Sequence, residues 1–164
     1  MFKLNLKKAL LNLLIILSIF SFDRLSKLYI LKIAELNNGI DIYVTSYLNL
    51  FLIWNKGIAF GLLSADKSQM YNIVTAIIVI ITLIILLMSI RSNGIEKYAL
   101  ITVFGGASGN IFDRIYYSAV PDFIDFHIGD FHWFIFNIAD IFITIGVICL
   151  IYVEIFIDKI KNEK

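Results

Sequence analysis

The stretch SQMYNIVTAIIVIITLIILLMSI, residues 68–90, contains no charged residue. A helix needs about 20 apolar residues to cross the hydrocarbon core of a bilayer. The even spread of Ile, Leu and Val leaves this segment no polar face, so it reads as a membrane-spanning helix bathed in lipid on most sides. Composition agrees: 60% of the 164 residues are hydrophobic and only 16% are charged. A water-soluble domain of that make-up would aggregate. The net charge of +1 comes from scattered Lys and Arg, which excludes the basic footprint of a nucleic-acid binder. The single cysteine, Cys149, sits inside an apolar run and excludes a disulfide framework or a Cys-rich metal motif.

Working outward, three further segments supply enough residues to span: 9–33, 98–117 and 136–157. Unlike 68–90, all three carry ionisable groups. Lys3, Lys7 and Lys8 ahead of an apolar stretch resemble a secretory signal peptide, but no A-x-A-like cleavage site follows and the helical pattern continues through Asp23 and Lys27. An uncleaved first helix is expected. Basic residues flank the other ends of the spans at Arg91, Lys97, Lys159, Lys161 and Lys164, which predicts that both termini are cytoplasmic. The two outer loops, 34–67 and 118–135, then hold Glu35, Asp41, Asp66, Asp122, Asp125 and Asp130. Residues 40–55, rich in Tyr, Val, Ile, Thr and Phe with partial alternation, predict two short strands on the outer surface. Residues 58–63, apolar between glycines, are expected to dip into the interface. The fold class is thus an all-α membrane protein, one domain over 1–164, with four transmembrane helices and a small extracytoplasmic β element.

This topology gathers polar residues. Asp23 on the first helix, Asn110 and Arg114 on the third and Asp140 on the fourth all fall just under the outer surface, where Asn55 and Asp122 arrive from the loops. Ionisable groups within spans are costly and usually line a site, whereas Lys32 near a helix end reads as snorkelling. Asp23 and Lys27, spaced i,i+4 with the acid first, suit a helix-face pair. The small residues Gly105, Gly106, Ala107, Ser108 and Gly109 suit close helix packing. Two carboxylates in a partly desolvated site share a proton and serve together as base and acid, as in an aspartyl peptidase. Asp122 and Asp140 are candidates for that pair, although composition does not choose Asp122 over Asp113 or Asp125. His127 and His132 near Asp130, or with Ser118, fit no helix face and are read as surface histidines, without a metal site. A transporter or proton channel is the alternative, disfavoured because the charges keep to one surface and the second helix has none.

Four stretches read together resemble the lipoprotein signal peptidases, or signal peptidase II family: Asp23-Arg-Leu-Ser-Lys27; Asn55-Lys-Gly-Ile-Ala-Phe-Gly61; Gly105-Gly-Ala-Ser-Gly-Asn-Ile-Phe-Asp-Arg114 with Val120-Pro-Asp-Phe-Ile-Asp125; and Phe136-Asn-Ile-Ala-Asp140. They keep the family's order over essentially the whole chain. The resemblance implies that Asp122 and Asp140 are the catalytic aspartates. It makes Asp23, Lys27, Asn55, Gly57, Asn110, Asp113, Arg114 and Asn137 supporting or substrate-binding residues, with Asp113 expected to partner Arg114. It further implies a bacterial cytoplasmic-membrane enzyme with no cofactor, its active site near the outer face. The implied partners are membrane lipid and prolipoproteins cut before a diacylglyceryl cysteine, and a monomer is expected. Pro121 and Ile58 depart from the family pattern, which has a small apolar residue such as Val at the first position and commonly Ala at the second; neither removes a reacting group.

Overall fold

The protein is described here from a computed structural model over residues 6–57 and 67–158. Along the chain run helix α1 (Leu6–Asn37), strands β1 (Asp41–Thr45) and β2 (Leu48–Asn55), helices α2 (Lys67–Arg91) and α3 (Gly94–Tyr117), strands β3 (Val120–Ile128) and β4 (Phe131–Phe136), and helix α4 (Ile138–Tyr152), which continues as a π-helical segment over Val153–Asp158. Among the described residues, three helical stretches are long and apolar enough to cross a membrane: Leu6–Asn37, Gln69–Arg91 and Ile138–Phe156. Helix α3 has 24 residues, but Asn110, Asp113 and Arg114 dilute the apolar character of its C-terminal half.

The surface of α2 shows what surrounds it. Ile73, Ile77, Ile80, Leu83, Ile84 and Leu87 are all exposed, a surface that fits hydrocarbon and not water. Two of its hydroxyls turn inward to their own helix, Thr82 donating to the Ile78 carbonyl at 2.8 Å and Ser89 to the Leu86 carbonyl at 2.7 Å.

Helix α3 is the hub, packing against α1, α2 and α4. Its run of small residues makes this possible, as the sequence suggested. A Cβ on Gly106 would stand 2.6 Å from the Ala139 carbonyl oxygen, one on Gly105 would stand 3.1 Å from Cβ of Ile19, and one on Gly109 would collide with the Asp23 carboxylate. The approach of α1 and α4 to α3 is therefore set by absent side chains.

The four strands form one antiparallel sheet in the order β1-β2-β3-β4, with α2 and α3 inserted between its middle strands. Ile30 near the end of α1 packs with Ile40 and Phe123, seating the sheet on that helix. The two expected strands in 40–55 are present, but the segment between the third and fourth helices also folds as a β-hairpin. Its turn holds Gly129 at φ 58°, a left-handed backbone that glycine adopts without strain. As a result α4 begins at Ile138 rather than 136, because Phe136 pairs with Ile124 across the sheet. Residues 58–63, Ile58 included, lie outside the described residues.

Candidate active site

The innermost element is a buried ammonium. Lys27 is fully buried, and its three N–H bonds are matched by three acceptors: Asp23 at 2.9 Å, Asn110 Oδ1 at 2.9 Å and Asp113 Oδ2 at 2.6 Å. The i,i+4 pairing of Asp23 with Lys27 holds. The expected pairing of Asp113 with Arg114 does not, since adjacent helical residues point apart. Asp113 instead meets Lys27 and Arg24, whose Nη1 lies 2.5 Å from Asp113 Oδ1. Arg24, stacked 4.9 Å over the Phe112 ring, was missed from the sequence; its place beside Asp23 in a motif-bearing helix was the available signal. Asp23 also reaches α4, where its Oδ1 accepts from the Ala139 N–H at 3.0 Å. One cluster thus ties α1, α3 and the first turn of α4.

Lys27 also fixes an amide. Because Asn110 Oδ1 accepts from the ammonium, its NH2 must face the other way, and it donates to Asp140 Oδ1 at 2.8 Å. Asn137 caps α4 in a capping box: its Oδ1 accepts from the Asp140 N–H at 3.1 Å and its own N–H donates to Asp140 Oδ2 at 3.0 Å. That leaves Asn137 Nδ2 free to donate to Asp122 Oδ1 at 2.6 Å and to Asn110 Oδ1 at 3.2 Å. One asparagine is therefore bonded to both candidate acids.

Asp122 arrives from β3. Its Oδ2 accepts from Asn55 Nδ2 at 2.8 Å, and Asn55 Oδ1 in turn accepts from the Gly57 N–H at 2.7 Å. Gly57 has φ +71°, and a Cβ there would lie 3.7 Å from Arg114 Nη2. Arg114 sits at this margin, donating to the Asn110 carbonyl at 3.4 Å while its own carbonyl accepts from the Tyr71 hydroxyl at 3.1 Å. Pro121 faces Trp54 of β2, and β4 joins β3 only from Ile124 onward, so its missing N–H leaves the β3–β4 ladder intact. Asp122 is 2% exposed, and burial pushes its carboxyl up to about 6. The bonds from Asn55 and Asn137 oppose that rise, and the nearby Asp140 charge adds to it.

The structure thus brings together Asp23, Lys27, Asn55, Asn110, Asp113, Asp122, Asn137 and Asp140, with Gly57 and Arg114 at the edge. Of the two histidines, His132 is exposed as expected and His127 is not. His127 is buried rather than superficial, and it and His132 flank Asp125 instead of Asp130. They lie on paired strands, which a search for helix faces does not detect.

Removing one partner from a buried ion cluster leaves uncompensated charge and costs about 3–5 kcal/mol. Lys27→Met is expected to destabilise the protein by that order in detergent unfolding experiments. Lys32→Met, which removes a 65% exposed side chain 3.4 Å from Glu35, is expected to change little. Equal effects would show that Lys27 does not anchor the cluster.

Comparison with known proteins adds an independent finding. The family model described as signal peptidase (SPase) II matches residues 15–156. The chain is 58% identical over 163 residues to the lipoprotein signal peptidase of Pelagibacter ubique (strain HTCC1062), covering 99% of this chain and 98% of the relative. It is 38% identical over 153 residues to that of Anaplasma phagocytophilum (strain HZ), covering 92% and 95%. Two solved structures of bacterial membrane enzymes, both obtained by the in meso method, are similar. One has a TM-score of 0.66 and 32% identity, covering 93% of this chain and 91% of that one. The other has a TM-score of 0.69 and 31% identity, covering 88% and 92%. With matches this extensive, the chain belongs to the signal peptidase II family.

Proposed function

We propose that the chain is a lipoprotein signal peptidase, a membrane aspartyl endopeptidase whose reacting groups are Asp122 and Asp140 within a single domain over 1–164. The observation that carries this assignment is the shared partner: Asn137 bonds both carboxyl groups, at 2.6 Å to Asp122 and 3.0 Å to Asp140. In the singly protonated pair the proton sits on Asp122, whose carboxyl is pushed up to about 6 by burial, so that this form is populated as pH falls toward that value. Asp140 takes a proton from water as the water oxygen bonds to the scissile carbonyl carbon, and Asp122 gives its proton to the carbonyl oxygen. Asp140 then passes its proton to the leaving nitrogen as the C–N bond breaks. Asp122 regains a proton from the collapsing diol, so the pair ends as it began. Asn55, Asn110 and Asn137 keep both carboxyls in place through these steps.

The substrate by this reading is a prolipoprotein, cut before a cysteine bearing a diacylglyceryl group. Burying acyl methylenes contributes about 0.8 kcal/mol each, so two chains offset the cost of presenting a peptide bond at the membrane boundary. Helix α3 is taken as a fourth span because it packs against the other three helices, and its charged residues Asp113 and Arg114 are turned to partners inside the protein. Both termini are then cytoplasmic in the bacterial inner membrane, and the sheet and the two aspartates lie at the outer face. The transporter alternative has no support: the described side chains of α2 between 69 and 90 carry no charge to mark a path.

Purified protein and one lipidated precursor test the chemistry. Asp122→Asn and Asp140→Asn are each expected to lower cleavage at least ~100-fold, because an amide cannot shuttle the proton, while Asp130→Asn stays active. An active Asp122→Asn would remove that residue from the pair. The same precursor without its lipid is expected to be cleaved far more slowly; equal rates would mean that the peptide alone is read. A reporter fused after Lys164 is expected to report a cytoplasmic location, and an external one would overturn the topology.

A further inference from the structure

Strand β3 carries a second polar cluster that the cleavage chemistry does not use. Asp125 and His127 are buried while Phe126 and Ile128 are exposed, so the two share one face of β3 across a register irregularity with β4. Pairing across the sheet sets His132 of β4 directly opposite His127, and Asn49 of β2 directly opposite Asp125. His132 Nδ1 lies 2.8 Å from Asp125 Oδ2, and His127 Nδ1 lies 3.8 Å from the same oxygen. The two imidazoles are stacked with centroids 5.1 Å apart. One nitrogen of each ring and one Asp125 carboxylate oxygen all fall within 4.8 Å of one another.

Two atoms in this cluster are left without partners. His127 Nδ1 and Asn49 Oδ1 are buried and accept or donate no hydrogen bond. The His127 side chain is 10% exposed and directs its free nitrogen at the Asp125 carboxylate, yet 3.8 Å is too long for a hydrogen bond. An ordinary Asp–His pair accounts for His132 and leaves both orphans unexplained. A bound cation accounts for them. Zinc bonds of about 2.0–2.2 Å in tetrahedral array place neighbouring donor atoms ~3.4 Å apart, and the observed 2.8 and 3.8 Å bracket that separation.

We infer that Asp125, His127 and His132 form a site for one divalent transition-metal ion of the zinc type, bridging β3 and β4. Two imidazole nitrogens and one carboxylate suit zinc, whereas magnesium and calcium call for an oxygen cage and cuprous copper for sulfur. The fourth position falls to water or to Asn49 Oδ1. His132, with 56% of its side chain exposed, provides the entry path. The ion cross-links the hairpin whose two outer ends lead to Asp122 and Asn137, so it stiffens the frame of the aspartates and takes no part in the bond cleavage.

The test uses full-length, tag-free protein in detergent, stripped with a chelator and titrated with Zn²⁺ or Co²⁺. Wild type is expected to bind one ion per chain, and the cobalt form to show the intense visible bands of a four-coordinate nitrogen and oxygen site. His132→Gln, at a half-exposed position, and Asp125→Asn are each expected to weaken binding at least ~10-fold, since losing a ligand costs no less than losing a group that orients one. Absence of stoichiometric binding, a cobalt spectrum no different from that of the hydrated ion, or unchanged affinity in folded variants would each overturn the site. The wild-type cobalt spectrum decides the matter even if a variant fails to fold. Because binding is read without substrate, failure here is distinguishable from failure of the peptidase assignment.

Discussion

A lysine ammonium without water must find an acceptor for each of its three protons, and that requirement at Lys27 organises the rest of the protein. Asp23, Asn110 and Asp113 meet it, drawing α1 and α3 into register. Such a cluster is a poor device for stability, because desolvating the ions costs about as much as their attraction returns. Its value is directional. Holding the Asn110 oxygen forces the Asn110 amide toward Asp140, while Asp23 reaches past the lysine to the first turn of α4. The position of the Asp140 carboxyl, one of the two proposed to react, therefore follows from a fully buried charge.

Packing and chemistry are coupled by the same geometry. Asp23 occupies the space that a side chain at residue 109 would fill, so the glycine is a condition of the ion cluster as much as of helix packing. Asp122 is placed by different means, held between Asn55 and Asn137 at the end of a strand and buried enough to keep its proton well above the usual carboxylate range. Two carboxyls supported by unlike elements, a helix N-terminus and a sheet, are thereby given unlike environments.

Much of this was legible in the sequence. The uninterrupted apolar run of α2 and the i,i+4 pair of Asp23 and Lys27 needed only helical geometry, and the motif resemblance singled out Asp122, Asn137 and Asp140. The hairpin of β3 and β4 escaped because Phe131–Phe136 is apolar at five of its six positions, so no alternation marks it as a strand beside a membrane. The partner of Asp113 and the part played by Arg24 depend on which way side chains leave two helices that meet only in three dimensions. The histidine cluster was hidden for the same reason as the hairpin, since its members become neighbours only once β4 pairs with β3.

The central claim is that Asp122 is the proton-bearing member of a functional pair, and titration of its carboxyl tests that most directly. Infrared carbonyl-stretch spectra of wild type and Asp122→Asn, recorded across pH, isolate the one group by difference. That carboxyl is expected to stay protonated below about 6 and to ionise as pH rises through that value. A difference signal that titrates at the ordinary aspartate value of about 3.9 would contradict the claim.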